Sequence, residues 1–195
     1  MFTPFPADCC ALVVEDDQVQ AHELACMLTG FGCRVVGPAA SVPEALQLLA
    51  GRRPSFALFD VDLPAGSLVP LAQTLIRLEV PFAVLAPSLE HPGRDRLPVL
   101  RDAPHLSKPW QRWNLHREAS ALHRTDLHRK ILATDRRIGA GRMRLAQQIR
   151  LIERLEAAGA PTDLAASLVR EMGRALRIMR ANRTILCQQL ETYQG

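Results

Sequence analysis

Phe56-Ala57-Leu58-Phe59-Asp60 reads as a short apolar strand that ends on an acid. A run of this length without polar alternation suits a strand covered on both faces, as in a parallel sheet. Upstream, Ala11-Leu12-Val13-Val14-Glu15 repeats the design, with Asp16 and Asp17 behind it. Cys33 to Val36 and Phe82 to Leu85 are two more short apolar runs, the latter following Pro81, and His105-Leu106 leaves room for a short fifth. Helical patterns fill the gaps. Asp17 to Leu28 shows helical spacing through Val19, His22, Leu24 and Leu28, and stops at Gly30 and Gly32. Ser41-Val42-Pro43-Glu44 is a capping box that opens a helix through Ala45, Leu46, Leu48 and Leu49 to Gly51. Leu68 to Leu78 is a third helix, following a turn at Gly66-Ser67. The alternation predicts an α/β domain with a doubly wound, five-stranded parallel sheet. Its functional groups should collect beyond the C-terminal strand ends.

After Trp110 the character changes. Ile131, Ile138, Leu145 and Ile152 recur every seventh position, with Ile149 and Leu155 filling in. Gly159-Ala160-Pro161-Thr162-Asp163 then breaks the pattern and offers a cap. Beyond it Ala165, Met172, Met179, Leu186 and Tyr193 again step by seven, with Val169, Leu176 and Leu190 one turn on. Two amphipathic helices joined by a tight connection predict an all-α antiparallel hairpin. The expected division is a domain over residues 1–122 and a helical module over residues 123–195.

Charge divides the chain in the same way. Residues 1–110 carry 8 Lys/Arg against 12 Asp/Glu, whereas residues 111–195 carry 16 against 8. Arginine dominates, so the two lysines, Lys108 and Lys130, stand out. No run approaches the roughly eighteen apolar residues that cross a bilayer, and the start MFTPFPADCC lacks the pattern of a signal peptide. The expectation is a cytoplasmic protein with no membrane partner. Cys9, Cys10, Cys26, Cys33 and Cys187 show no CxxC or Cys/His spacing and read as core thiols.

Chemistry concentrates at two strand ends. Glu15, Asp16 and Asp17 follow the first strand, Asp60 ends the third, and Lys108-Pro109 follows the presumed fifth. In a doubly wound sheet these ends lie side by side, forming an acidic pocket with one ammonium at its rim. Clustered carboxylates raise one another's pKa unless a cation intervenes. Hard oxygen donors suit Mg²⁺, a free carboxylate suits attack on a phosphoryl group, and an ammonium neutralises the charge being transferred.

Val13-Val14-Glu15-Asp16-Asp17, then Phe59-Asp60-Val61-Asp62-Leu63-Pro64, then Lys108-Pro109 together resemble the three signatures of response-regulator receiver domains, in order, over roughly residues 9–122. The resemblance implies the flavodoxin-like receiver fold and a phosphoprotein rather than an enzyme. It implies Asp60 as phosphoacceptor and Glu15 and Asp16, with Asp60, as Mg²⁺-binding acids. The Asp62 backbone carbonyl is implied as a further ligand, and Lys108 as the contact to a phosphoryl oxygen. The implied partner is a sensor histidine kinase or phosphotransfer protein.

Two positions depart from the family pattern. Where receivers carry Thr or Ser at the end of the fourth strand, this chain has Ala86; Ser88 offers a hydroxyl only if its loop bends inward. Where they carry an aromatic switch residue, it has His105. The relay from phosphate to surface should therefore differ from the usual design. Pro87, Pro92, Gly93, Pro98 and Pro104 leave little room for a regular helix after Ala86.

The tail carries no helix-turn-helix signature, and Tyr193 is its only aromatic after Trp113. His116, His123 and His128 are each followed by Arg rather than an acid, which argues against a phosphotransfer histidine and for solvated surface residues. Arginines 136, 137, 142, 144, 150 and 154, and 170, 174, 177, 180 and 183, read as a solvated face. The expected role of the hairpin is homodimerisation or binding of a protein target. A nucleic-acid-binding regulator working through the basic tail, and a receiver scaffold that no longer switches, are the competing readings.

Overall fold

The computed structural model describes residues 2–63, 67–88, 100 and 102–193. Five parallel strands form one sheet: β1 (Cys10–Val14), β2 (Arg34–Ala39), β3 (Phe56–Asp60), β4 (Phe82–Ala86) and β5 (His105–Ser107), in the order β2-β1-β3-β4-β5. The helices are α1 (Gln18–Gly30), α2 (Val42–Gly51), α3 (Val69–Arg77), α4 (Arg112–Ala157) and α5 (Asp163–Thr192). The expected doubly wound α/β sheet and the helical extension are both present.

Local chemistry explains the elements. Asp17 caps α1 by accepting from the N–H groups of Val19 (2.9 Å) and Gln20 (3.0 Å). Gly32 follows the helix with a φ of 87°, a conformation that costs glycine little. In the capping box at α2, the Ser41 hydroxyl accepts from Glu44 N–H and the Glu44 carboxylate accepts from Ala40 N–H at 2.8 Å. In β2, Gly37 has a φ of 96°, and a Cβ there would lie 2.7 Å from Ala39 N and 2.9 Å from Val13 O. Only glycine fits where β2 shifts register against β1 between Leu12 and Val14.

The core follows the period-two rule for strands. Leu12, Val14, Ala57, Phe59, Val84 and Ala86 join one buried cluster with Val42, Ala45 and Leu49 of α2 and Leu71, Ala72 and Leu75 of α3. The alternate residues Ala11, Val13, Phe56, Leu58, Ala83 and Leu85 are equally buried, and Phe5 packs near Phe56 on that side. Burial on both faces accounts for the unbroken apolar runs of the strands. In α1 the core positions are Ala21, Leu24 and Leu28, whereas Val19 and His22 lie exposed.

The chain divides into two compact units, Met1–Asp126 and Leu127–Gly195. Within the second, Arg183 pairs with Asp135 and Leu176 packs on Gly141, so residue numbers rise on one helix as they fall on the other. That is an antiparallel hairpin, turning at Gly159 with a φ of 68°. The seam on α4 runs through Ile131, Thr134, Ile138, Gly141, Leu145, Gln148, Ile152 and Leu155, all buried or half-buried. The seam on α5 runs through Ala165, Val169, Met172, Leu176, Met179, Arg183, Leu186, Leu190 and Tyr193. Ile149 is the exception to the expected seam: it lies exposed, because the alternating three–four spacing passes through Gln148 instead. Among the described residues, no helix is long and apolar enough to cross a membrane.

Candidate functional site

The strand order reverses direction between β1 and β3, which opens a crevice beyond their C-terminal ends. Three of the four acids expected there meet in it. One ligand oxygen each of Glu15, Asp16 and Asp60 lies within 4.8 Å of the others. Glu15 and Asp60 are buried, and Asp16 is exposed at the mouth. The fourth acid, Asp17, faces the α1 N-terminus, where the N–H groups of Gln20 and Val19 hold its carboxyl below the usual range.

Lys108 closes the pocket. Its Nζ donates to Glu15 Oε2 at 2.7 Å and to Asp60 Oδ2 at 2.6 Å. One ammonium thus bridges the ends of β1 and β3 from beyond β5. Burial pushes the Glu15 carboxyl above its ordinary value of 4.5; the Lys108 hydrogen bond opposes the rise, and the Asp60 charge adds to it. Burial also disfavours the Lys108 charge, yet its hydrogen bonds to Asp60 and Glu15 prevail and raise its pKa above 10.5. Asp60 Oδ1 accepts from the Asp62 N–H at 3.1 Å, which orients the carboxylate and holds the next turn of chain against the pocket.

Chemically this is a set of hard carboxylate oxygens beside a cation and near solvent. The donor type and close grouping fit a small divalent cation, with Glu15, Asp16 and Asp60 as the protein's acids. Asp62 is exposed and contributes its backbone at the same edge.

The two departures lie next to the pocket and form a contact of their own. Ala86 is buried at the end of β4, so its methyl replaces any hydroxyl there, and Ser88 is exposed. The Ala86 carbonyl accepts from the Lys108 N–H at 3.1 Å and from His105 Nε2 at 3.2 Å. A carbonyl only accepts, so Nε2 of His105 carries the proton. The ends of β4 and β5 are therefore joined through a backbone oxygen shared by a backbone amide and a ring nitrogen. The expectations for the turn at Gly66 and for the segment through Pro92, Gly93 and Pro98 fall outside the described residues.

Two groups of residues depart from their sequence reading. His116 and His123 are not solvated: His116 Nε2 lies 2.8 Å from Thr3 O, and His123 is 1% exposed. The N-terminal segment covers the first turns of α4, with the Phe5 ring 5.7 Å from His116 and 5.6 Å from His123. His128 is exposed as expected. Among the cysteines, Cys26 is exposed rather than a core thiol, whereas Cys9 and Cys33 are buried and touch. Cys9 also touches His123, which lies 114 positions away in sequence, too far for any spacing motif to signal.

No protein-family model matches the sequence, and no curated protein matches it. Solved structures do. The signal receiver domain of a modulated diguanylate cyclase from Desulfovibrio desulfuricans G20 is 27% identical with a TM-score of 0.53, over 60% of this chain and 94% of that one. The receiver domain of a sensor histidine kinase from Pseudomonas aeruginosa PAO1, with a magnesium ion coordinated in its active-site cleft, is 24% identical with a TM-score of 0.52, over 58% of this chain and 96% of that one. The response regulator PhyR from Brucella abortus is 23% identical with a TM-score of 0.51; the match covers 62% of this chain and spans about half of PhyR, 49%. The N-terminal unit thus has the fold of response-regulator receiver domains and is similar to them, with acids and a lysine at its strand ends, and a helical extension follows it in the chain.

Proposed function

We propose that this chain is a two-component response regulator that accepts a phosphoryl group on Asp60. The observation that carries the reading is the placement of Asp60. It is a buried carboxylate with one oxygen on Lys108 Nζ and the other on the Asp62 N–H, beside two further acids. In this reading Asp60 attacks the phosphorus of a phosphohistidine on a sensor kinase or phosphotransfer protein, and the nitrogen–phosphorus bond breaks as the oxygen–phosphorus bond forms. Lys108 then exchanges its bond to the Asp60 carboxylate for one to a phosphoryl oxygen. Glu15, Asp16 and Asp60, with the Asp62 carbonyl, would hold Mg²⁺, which supplies charge neutralisation at the transferring group when bound. Phosphate would be reported through the shared Ala86 carbonyl and His105, since a hydroxyl is missing from position 86.

The helical extension is proposed as a dimerisation or target-binding module. Beside its buried seam, α5 exposes Leu164, Leu168, Ile178 and Ile185 at helical spacing, and α4 exposes Leu132 and Met143. From position 136 onward the arginines are exposed except Arg183, which is half-buried and pairs with Asp135.

Incubation with Mg²⁺ and acetyl phosphate tests the acceptor role. Intact-mass measurement should show one added phosphoryl group, labile to hydroxylamine and lost with Asp60→Asn or with a chelator. An unmodified wild-type protein, or an adduct that survives in Asp60→Asn, would overturn the reading.

A further inference from the structure

Roughly 20 Å from the acids, six strand residues back along β1, a second group of reactive side chains meets at the opposite end of the sheet. Cys9 Sγ lies 3.6 Å from Cys33 Sγ and 3.5 Å from His123 Nδ1. Cys9, Cys33 and His123 are 0%, 1% and 1% exposed. The two cysteines stand one residue before the paired strand positions Cys10 and Arg34, and Arg34 N–H donates to Cys9 O at 3.1 Å. Paired neighbours on adjacent strands lie about 5 Å apart, inside the range of about 4.4–6.8 Å that a disulfide spans between Cα atoms. Closing the sulfurs to about 2.05 Å therefore asks for side-chain rotation, not for separation of the strands.

We propose that Cys9 and Cys33 form a reversible thiol-oxidation site, in which hydrogen peroxide converts the pair to a disulfide. The hydrogen bond from the Cys33 thiol, with the hydrogen bond and charge of His123, outweighs burial and holds Cys9 down at about 6. The same contact with Cys9, reinforced by burial, pushes Cys33 well above its ordinary value, so Cys33 keeps its proton. One sulfur is thus the nucleophile and its neighbour the resolving thiol. The Cys9 thiolate attacks one peroxide oxygen, the oxygen–oxygen bond breaks, and the departing hydroxide takes up a proton as water. Cys33 loses its proton and attacks the Cys9 sulfenic acid; the sulfur–sulfur bond forms and hydroxide leaves, taking up that proton as a second water. Two thiols are oxidised by two electrons and one peroxide is reduced by two. Cys33 lines a pocket of about 490 Å³ with Cys10, Arg34 and Arg52, whereas Cys9 lies behind it at 0% exposure, so the oxidant has to pass the Cys33 side chain to reach the Cys9 sulfur.

The test is a titration of the reduced full-length chain with hydrogen peroxide, followed by alkylation and peptide mapping. The expected result is a Cys9–Cys33 crosslinked peptide at doses that leave the exposed Cys26 open to alkylation, reversed by dithiothreitol. Cys33→Ala should halt Cys9 at the sulfenic acid, captured by dimedone, and Cys9→Ala should leave Cys33 a free thiol. Circular dichroism of both variants checks that they fold, and the wild-type map stands without them. Free Cys9 and Cys33 in folded wild-type protein at doses that oxidise Cys26 would overturn the proposal. So would a disulfide from either residue to another cysteine.

Discussion

The two units of this chain bury their residues in opposite ways. In the N-terminal unit the sheet is covered on both faces, so nearly every side chain of the inner strands β1, β3 and β4 is buried and polar groups are pushed to the strand ends. In the hairpin each helix buries one seam and leaves its other faces to water, with Leu164 90% and Ile178 66% exposed. Chemistry follows burial. The buried carboxylate and thiols with shifted pKa values, Glu15, Cys9 and Cys33, all lie in the first unit. The hairpin's arginines and acids mostly face water, where neighbouring charges are screened. A reactive site needs the first kind of surroundings; an adaptable contact surface needs the second.

Substitution should expose that difference most strongly in the hydrophobic positions. Leu71→Ala in α3 removes a fully buried side chain and should cost about 2–5 kcal/mol of stability. Leu168→Ala, on the exposed face of α5, should stay within about 0.5 kcal/mol. Urea unfolding followed by circular dichroism measures both. Equal losses at the two sites would mean that the exposed face of α5 is covered in solution.

A smaller effect should appear in the pH dependence. Glu15 has a folded pKa raised above 4.5, so its contribution is fully present below that value and is lost as pH rises through the folded pKa. Lys108, raised above 10.5, contributes stability that persists below that value and is lost as pH climbs through its folded pKa. Thermal melts of Glu15→Gln, run without divalent cation, should therefore vary less with pH between 4.5 and neutrality than those of the parent chain. Added Mg²⁺ should raise the melting temperature of the parent more than that of Glu15→Gln, by mass action on the folded state. Identical profiles would separate Glu15 from the pocket's electrostatics.

The smallest effect is expected at the hairpin's ion pair. Asp135 and Arg183 are each 43% exposed, so Asp135→Asn should leave the unfolding midpoint unchanged within repeat measurements. A clear loss there would show the pair to be shielded from water.

Much of this architecture is legible along the chain because it rests on near-neighbour rules. The Ser41 capping box, the Asp60 strand end and the seam from Ala165 to Tyr193 all depend on residues a few positions apart. Misreadings fall where a helix face had to be chosen or a distant segment intervened. Val19 and Ile149 match an apolar period yet face water, because one turn of helix leaves two neighbouring positions as candidates for the same seam. His116 and His123 look solvated among their arginines until the N-terminal segment is laid over them.

The order of residues alone determined the alternating α/β pattern, the acids at two strand ends, the lysine that follows the fifth strand, and the heptads of the hairpin. Hydrophobic period and capping chemistry are local, and the chain displays them directly. Tertiary structure alone decided that Asp17 serves a helix cap while Glu15, Asp16 and Asp60 converge. It also decided that the Ala86 carbonyl accepts from both Lys108 and His105, and that Cys9, Cys33 and His123 meet. Those contacts join residues far apart in sequence, and only the register of parallel strands and the covering of a sheet face bring them together.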